Sequence, residues 1–173
     1  RARLLDVVAR TAPGVDTTGL TVAFADVTEP RLGLSPRGAA WLSAAPALQV
    51  VHGAAEERFD LPLDVMRFQN VQGTLHVLEL ARELAAQGRL LRLDHVSTCY
   101  VAGDREGQVL ESDVDVGQRP RNAYEQTKLE AEVEVDRARQ AGLPIAVHRP
   151  SIIVGDSRTG RAASFKVQIG RAH

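Results

Sequence analysis

Tyr124 and Lys128 stand four residues apart in Asn122-Ala-Tyr-Glu-Gln-Thr-Lys, and Thr98 closes an apolar run in His95-Val-Ser-Thr. On a helix, a Tyr-x-x-x-Lys pair puts phenol and ammonium on one face, one turn apart. A phenol titrates near pH ~10, so alone it is a poor acid or base at neutrality. A nearby cation favours the phenolate and lowers that pKa. A strand-end hydroxyl can share the substrate oxygen. The trio then suits proton transfer to or from a carbonyl or alcohol while a cofactor moves hydride. The spacing alone is common, and its plainer reading is a partly buried Tyr beside a solvated Lys.

The elements needed to position these groups are legible. Residues 2–10 read as the end of an amphipathic helix, and Gly19-Leu-Thr-Val-Ala-Phe alternates like a strand ending near Ala25. Asp26 to Leu34 is a loop, and Ser35-Pro36 signals a helix start. Ala47-Leu-Gln-Val-Val-His is a second strand, whose continuous apolar run predicts burial on both faces. Residues 64–87 predict a helix with Val65, Phe68, Val71, Leu75 and Leu78 on its inner face and Gly88 as its stop. Leu90 to Thr98 is a third strand and residues 104–121 are a loop. Asn122 and Glu125 form a capping box before a helix over 123–141, ended by Gly142 and Pro144. Ile145-Ala-Val-His is the fourth strand.

Strands alternating with helices predict an α/β fold, a doubly wound parallel sheet covered on both faces. Its crevice lies at the carboxyl ends of the strands. Asp26, Gly53, Thr98 and Pro150 all fall at or just after such ends.

The chain has 173 residues, which suits one domain, and its 44% hydrophobic content can build a core. A net charge of −1 offers no footprint for nucleic acid or an anionic membrane. No run approaches the ~20 apolar residues that span a bilayer. No secretory signal is visible, and the lone Cys99 makes a reducing cytoplasm the default. The five histidines have no zinc-like spacing, so no metal is expected.

The whole series resembles the extended short-chain dehydrogenase/reductase family, and within it the thioester reductase and fatty acyl-CoA reductase branch. Asn70-Val-Gln-Gly-Thr is similar to the family's Asn-Val-x-Gly-Thr helix. His148-Arg-Pro-Ser-Ile-Ile-Val-Gly-Asp-Ser-Arg-Thr-Gly resembles the branch's Arg-Pro-Ser-x-x-x-Gly-Asp-Ser-x-x-Gly. The resemblance implies Tyr124 as the acid/base. Lys128 lowers its pKa and binds the nicotinamide ribose, and Thr98 steadies the substrate oxygen. It implies cofactor contacts at Asp26 and Val27 (adenine), Gly53, Ala54 and Ala55 (small residues admitting the cofactor), and Pro150 and Ser151 (nicotinamide amide).

Each has a structural alternative. Asp26 can cap local backbone, Gly53 can reflect tight strand–helix packing, and Gly73 in mid-helix marks close packing on the sheet, since glycine there costs ~1 kcal/mol. Asn70 reads mainly as structural. Cys99 reads as core, because period two points it away from the cleft that Thr98 faces.

The implied activity is reduction of an acyl thioester to an aldehyde with NADP, NAD being possible. The substrate is a small-molecule or carrier-bound acyl group, and a carrier or adenylation domain can lie upstream. A nucleotide-sugar epimerase/dehydratase or hydroxysteroid-type dehydrogenase is the alternative enzyme, and a non-catalytic NAD(P)-binding regulator the alternative outside catalysis.

The chain begins at Arg1 without Met, and its tail Ile169-Gly-Arg-Ala-His continues no pattern and resembles translated sequencing adapter. Residues 1–167 are read as a partial NAD(P)-binding reductase domain missing its first βαβ unit, and 168–173 as a non-native tail. The family's Gly-x-x-Gly-x-x-Gly loop, which seats a pyrophosphate on a helix N-terminus, is not among these residues. NADPH binding by the 173-residue chain is therefore expected to escape detection at micromolar concentrations, and the chain is expected to be inactive alone. A low-micromolar Kd by calorimetry would overturn this.

Overall fold

The computed structural model describes residues 2–153, 155 and 157–160, with backbone alone for residues 2–4, 10 and 11. Val154 and Asp156 of the Gly-Asp-Ser stretch, and the tail at 168–173, lie outside the described residues.

Three parallel strands form one sheet in the order β1 (Leu48–His52), β2 (Leu90–Val96), β3 (Ile145–His148). Helices α1 (Ala2–Thr11) and α2 (Pro36–Ala44) precede it. Ser35 caps α2 by accepting from the Gly38 amide at 3.2 Å, as the Ser-Pro signal predicts. Between β1 and β2 runs α3 (Leu63–Met66), a π-helical segment (Arg67–Gln72) and α4 (Gly73–Ala86). Between β2 and β3 lies α5 (Ala123–Gln140). The two strand–helix–strand units bear out the parallel α/β reading. Among the described residues no helix is long and apolar enough to cross a membrane.

The core sits between the sheet and the pair α4/α5. Val77, Leu78 and Ala81 of α4 meet Leu93 of β2 and Val135 and Ala138 of α5. Register pairs Val50 with Leu93 and Leu93 with Ile145, so these three line the covered face. The opposite face carries Gln49 and Val51, and Val51 is 67% exposed. Burial of β1 on both faces is thus corrected: its residues alternate, because helices α4 and α5 pack on one side.

The expected strand at Gly19–Ala25 does not form. Its alternation is real, but a strand needs a ladder. Here Leu20 bonds Thr17 locally, the Asp26 amide closes on the Leu32 carbonyl at 2.8 Å, and Phe24 is 91% exposed.

The helix over 64–87 exists, and Leu78 lies in the core as predicted, but the first part of its inner face is not the predicted one. Val65 and Phe68 are exposed, whereas Met66, Asn70, Gly73, Thr74 and Val77 are buried. The π segment holds an extra residue in its turn, which shifts the inner face by about one position. Gly73 is packed closely as expected, yet against Val27 of the preceding loop rather than the sheet. An added Cβ would lie 3.0 Å from Val27 Cγ2.

Loop 104–121 folds back through Gly103. Its φ of 58° is left-handed, and a Cβ there would lie 2.7 Å from the Arg119 carbonyl oxygen. Gly103→Ala should therefore destabilise the fold by about 1–3 kcal/mol, strain and backbone clash combined. Urea unfolding checks this, and an unchanged midpoint would contradict the close approach.

Candidate active site

The strand ends carry the groups expected there. β2 stops at Val96, and Thr98 remains extended as the cap of a short 3₁₀ turn (Cys99–Ala102). Its Oγ1 accepts from the Tyr100 amide at 3.3 Å. Asn122 caps α5 by accepting from the Glu125 amide at 2.9 Å, and Glu125 accepts from the Arg121 amide at 2.8 Å. That fixed helix start sets Tyr124 beside Thr98, whose side chain acts on its titration. Thr98, Tyr124, Ala55, Phe59, Pro150 and Ser151 line one cavity of about 790 Å³. Phe59 meets Tyr124 edge to face, with ring centroids 5.3 Å apart.

One turn further along α5, Lys128 is buried and donates to the Val96 carbonyl at 2.8 Å. A second turn brings Glu132, which receives Ser97 Oγ and a fork from Arg149, the Nε bond being 2.9 Å. Arg149 also donates to the Asp113 carbonyl at 2.8 Å, tying loop 104–121 to the site. Asn70 latches the loop after β1. It accepts from the Glu56 amide at 2.8 Å, donates to the Glu56 carbonyl at 3.1 Å, and donates to Thr127 Oγ1 at 3.1 Å.

The electrostatics depart from expectation in one respect. Burial pushes the Tyr124 phenol above its ordinary value, partly offset by the Thr98 hydrogen bond, with Glu57 pushing it further up. The lowering expected from Lys128 is absent, because that ammonium is turned onto Val96. Burial draws Lys128 down to about 8, against the opposing pull of Glu132 and Glu57.

Asp26 and Val27 do not line the cavity. Asp26 Oδ1 takes the Thr28 amide at 2.9 Å and the Thr28 hydroxyl at 2.7 Å, and the Val27 carbonyl meets His76 Nδ1 at 2.8 Å. A Cβ added at Gly53 would make only an ordinary contact with Val96 Cγ2 at 3.8 Å, so packing does not require glycine there. Cys99 is exposed, not core. The strand has already ended, so period two no longer orients it. Reading the sequence missed Glu132, although it repeats the four-residue step of Tyr124 and Lys128. It also missed His52 and His95, which sit directly opposite each other at the ends of β1 and β2. Among the described residues no group of three or more His, Cys, Asp or Glu could hold a metal.

A family model described as "Male sterility protein", one of the NAD-binding families, matches residues 9–170. A linear gramicidin synthase of Brevibacillus parabrevis is 34% identical over 161 residues, which is 85% of this chain and 3% of that protein. The terminal R domain from the myxalamid PKS-NRPS biosynthetic pathway is 32% identical with a TM-score of 0.61, over 77% of this chain and 33% of that one. A dTDP-glucose 4,6-dehydratase from Streptomyces venezuelae is 25% identical with a TM-score of 0.52, over 72% of this chain and 36% of that one. The chain thus spans about a third of the solved domains it matches and a thirtieth of the synthetase.

Behind Lys128, burial and the lysine charge hold His52 at about 4, and with His52 they hold His95 at about 3, against 6.5 when unfolded. Their neutral burial stabilises fully above pH 6.5 and is lost as pH falls toward 4, where only the unfolded chain takes the protons. Stability should drop by ~1.4 kcal/mol per pH unit per histidine across that window. Asp94, held at about 2 by His148, Gln49 and Arg92, stabilises fully above 3.8 and loses that contribution only as pH falls from 3.8 toward 2, so the two effects separate. Urea melts between neutrality and pH 4 test this, and a flat midpoint would overturn it.

Proposed function

The chain belongs to the NAD-binding family described as "Male sterility protein", and from that premise we propose that it is the catalytic part of a reductase taking acyl thioesters to aldehydes with NADPH. The observation that carries the reading is the placement of Tyr124, held edge-on by Phe59 beside the Thr98 hydroxyl, which can share one oxygen with it, in a cavity at the strand ends. A phenol so placed can pass its proton to a carbonyl oxygen as charge develops there, and reduction of a carbonyl needs such a donor.

The residues fit the nicotinamide end of the cofactor and leave the pyrophosphate end to a glycine-rich loop that is not in this sequence. Ala55 and the Pro150–Ser151 backbone on the cavity wall, with the buried Lys128 ammonium behind them, would hold the nicotinamide ribose and amide. When bound, the cofactor supplies hydride to the carbonyl carbon. Thr98 and Tyr124 hold the thioester oxygen as charge develops on it, and Tyr124 passes its proton there. The carbon–sulfur bond then breaks as the new hydroxyl re-forms a carbonyl, its proton leaves with the sulfur as thiol, and the aldehyde remains.

Relatives that are whole synthetases favour a carrier-bound acyl group over a free one. The fold shared with a sugar dehydratase leaves epimerase chemistry as the alternative, distinguished by turnover of a nucleotide sugar.

The test is made on the chain extended upstream by a family glycine-rich βαβ unit. Tyr124→Phe keeps the ring against Phe59 and removes the proton, so kcat should fall by about 10²–10⁴ with NADPH affinity nearly unchanged. Lys128→Met should lower kcat and weaken cofactor binding together. Thr98→Val should spare affinity and cost less than the tyrosine change. Steady-state NADPH oxidation with a medium-chain acyl-CoA, plus cofactor titration, checks all three. Near-parental kcat in Tyr124→Phe would sink the assignment.

A further inference from the structure

His95 is wholly buried, and neither ring nitrogen has a hydrogen-bond partner among the described residues. Such a group is costly, since an unsatisfied buried donor or acceptor forfeits its bonds to water. A leucine or phenylalanine would fill the same core without that cost. The ring also has definite neighbours. His52 lies with its ring centroid 5.3 Å away, and His52 Nε2 meets Thr74 Oγ1 at 3.1 Å. The Thr74 hydroxyl already gives its proton to the Asn70 carbonyl at 2.7 Å, so His52 must be the donor in that contact. Its tautomer is therefore fixed with the proton on Nε2, away from any relay. His95 has no such tether.

Lys128 completes the cluster from α5. Its charge acts on both rings, and its buried ammonium has one hydrogen bond among the described residues, to Val96. Three protons on an ammonium ask for more than one acceptor. A neutral imidazole has one lone pair and one N–H. It can accept from an ammonium and donate to a neutral amine, which no aliphatic wall can do.

We propose that His95 is a positioning residue for Lys128, the hydrogen-bonding counterpart that lets this buried lysine hold and release a proton without repacking the core. The two groups do not bond directly, so the contact is made across one internal water. Lys128 is faced by His52 from β1, His95 from β2, Glu57 from the loop after β1, and Glu132 on its own helix, with Arg149 bound to Glu132. Of these, only His95 is both uncharged and unpartnered.

The experiment uses the 173-residue chain and needs no cofactor or substrate. The titration of Lys128 is followed through its side-chain ¹³Cε resonance in the parent, His95→Phe and His95→Gln, alongside urea unfolding of each. In His95→Phe the ammonium loses its counterpart, so the lysine pKa should fall by about one unit or more. The fold should be as stable as the parent or more so. His95→Gln, which keeps a donor and an acceptor, should restore the parental titration. An unmoved lysine titration in His95→Phe overturns the proposal. So does a glutamine variant that titrates like the phenylalanine one. Should His95→Phe fail to fold, His95→Gln against His95→Leu provides the same comparison.

Discussion

A carboxylate left with 2% of its side-chain area exposed has lost its water and must find partners in the protein, and Glu132 organises the molecule around that requirement. Its partners come from three places. Ser97 belongs to the end of β2, Arg149 follows β3, and through Arg149 the carbonyls of Leu110 and Asp113 bring in the long loop. Helix α5 is thereby pinned to two strand ends and to the loop by one side chain. Because Tyr124 and Lys128 ride the same face at earlier turns, pinning Glu132 aims them as well. The ion pair is thus better understood as an alignment device than as a source of stability. Buried pairs commonly repay little more than their own desolvation.

The site separates two jobs along that one helical face. At the mouth, Tyr124 is half-buried, in contact with Thr98 and Phe59, and keeps its proton. One turn deeper, Lys128 is fully enclosed and nearer neutrality in its titration. Depth, rather than any special neighbour, sets the difference between them. Desolvation penalises the charged form in each case, which raises a phenol and lowers an amine.

What could be read in the sequence was whatever is decided locally. The Ser35 and Asn122 caps, the glycine stops at Gly88 and Gly142, and the apolar cores of β1 to β3 depend on neighbours a few residues away, and all appear in place. Thr98 and Tyr124 were legible because each terminates or begins such an element. Features settled by tertiary pairing were not. Alternation at Gly19–Ala25 could not reveal that no ladder would form, and helical periodicity could not anticipate the π turn that moved Val65 and Phe68 outward. Cys99 was misplaced because strand β2 ends two residues earlier than its apolar run suggests. Glu132 was visible as a third four-residue step, but its significance lies in Arg149 and Ser97, which are distant in sequence.

The π turn at Arg67–Gln72 has an evolutionary reading. Such a turn is what remains when one residue is inserted into an α-helix and the helix absorbs it rather than shifting register downstream. Here the carbonyl of Asn70 is taken up by the Thr74 hydroxyl, while the Asn70 side chain grips the loop after β1. The segment therefore uncouples two registers. Residues before it can answer to the loop over the cavity and residues after it to the sheet, so each side can drift by substitution without forcing the other to follow. A lineage deleting that one residue would restore a regular helix and at the same stroke turn the loop's anchor away from it.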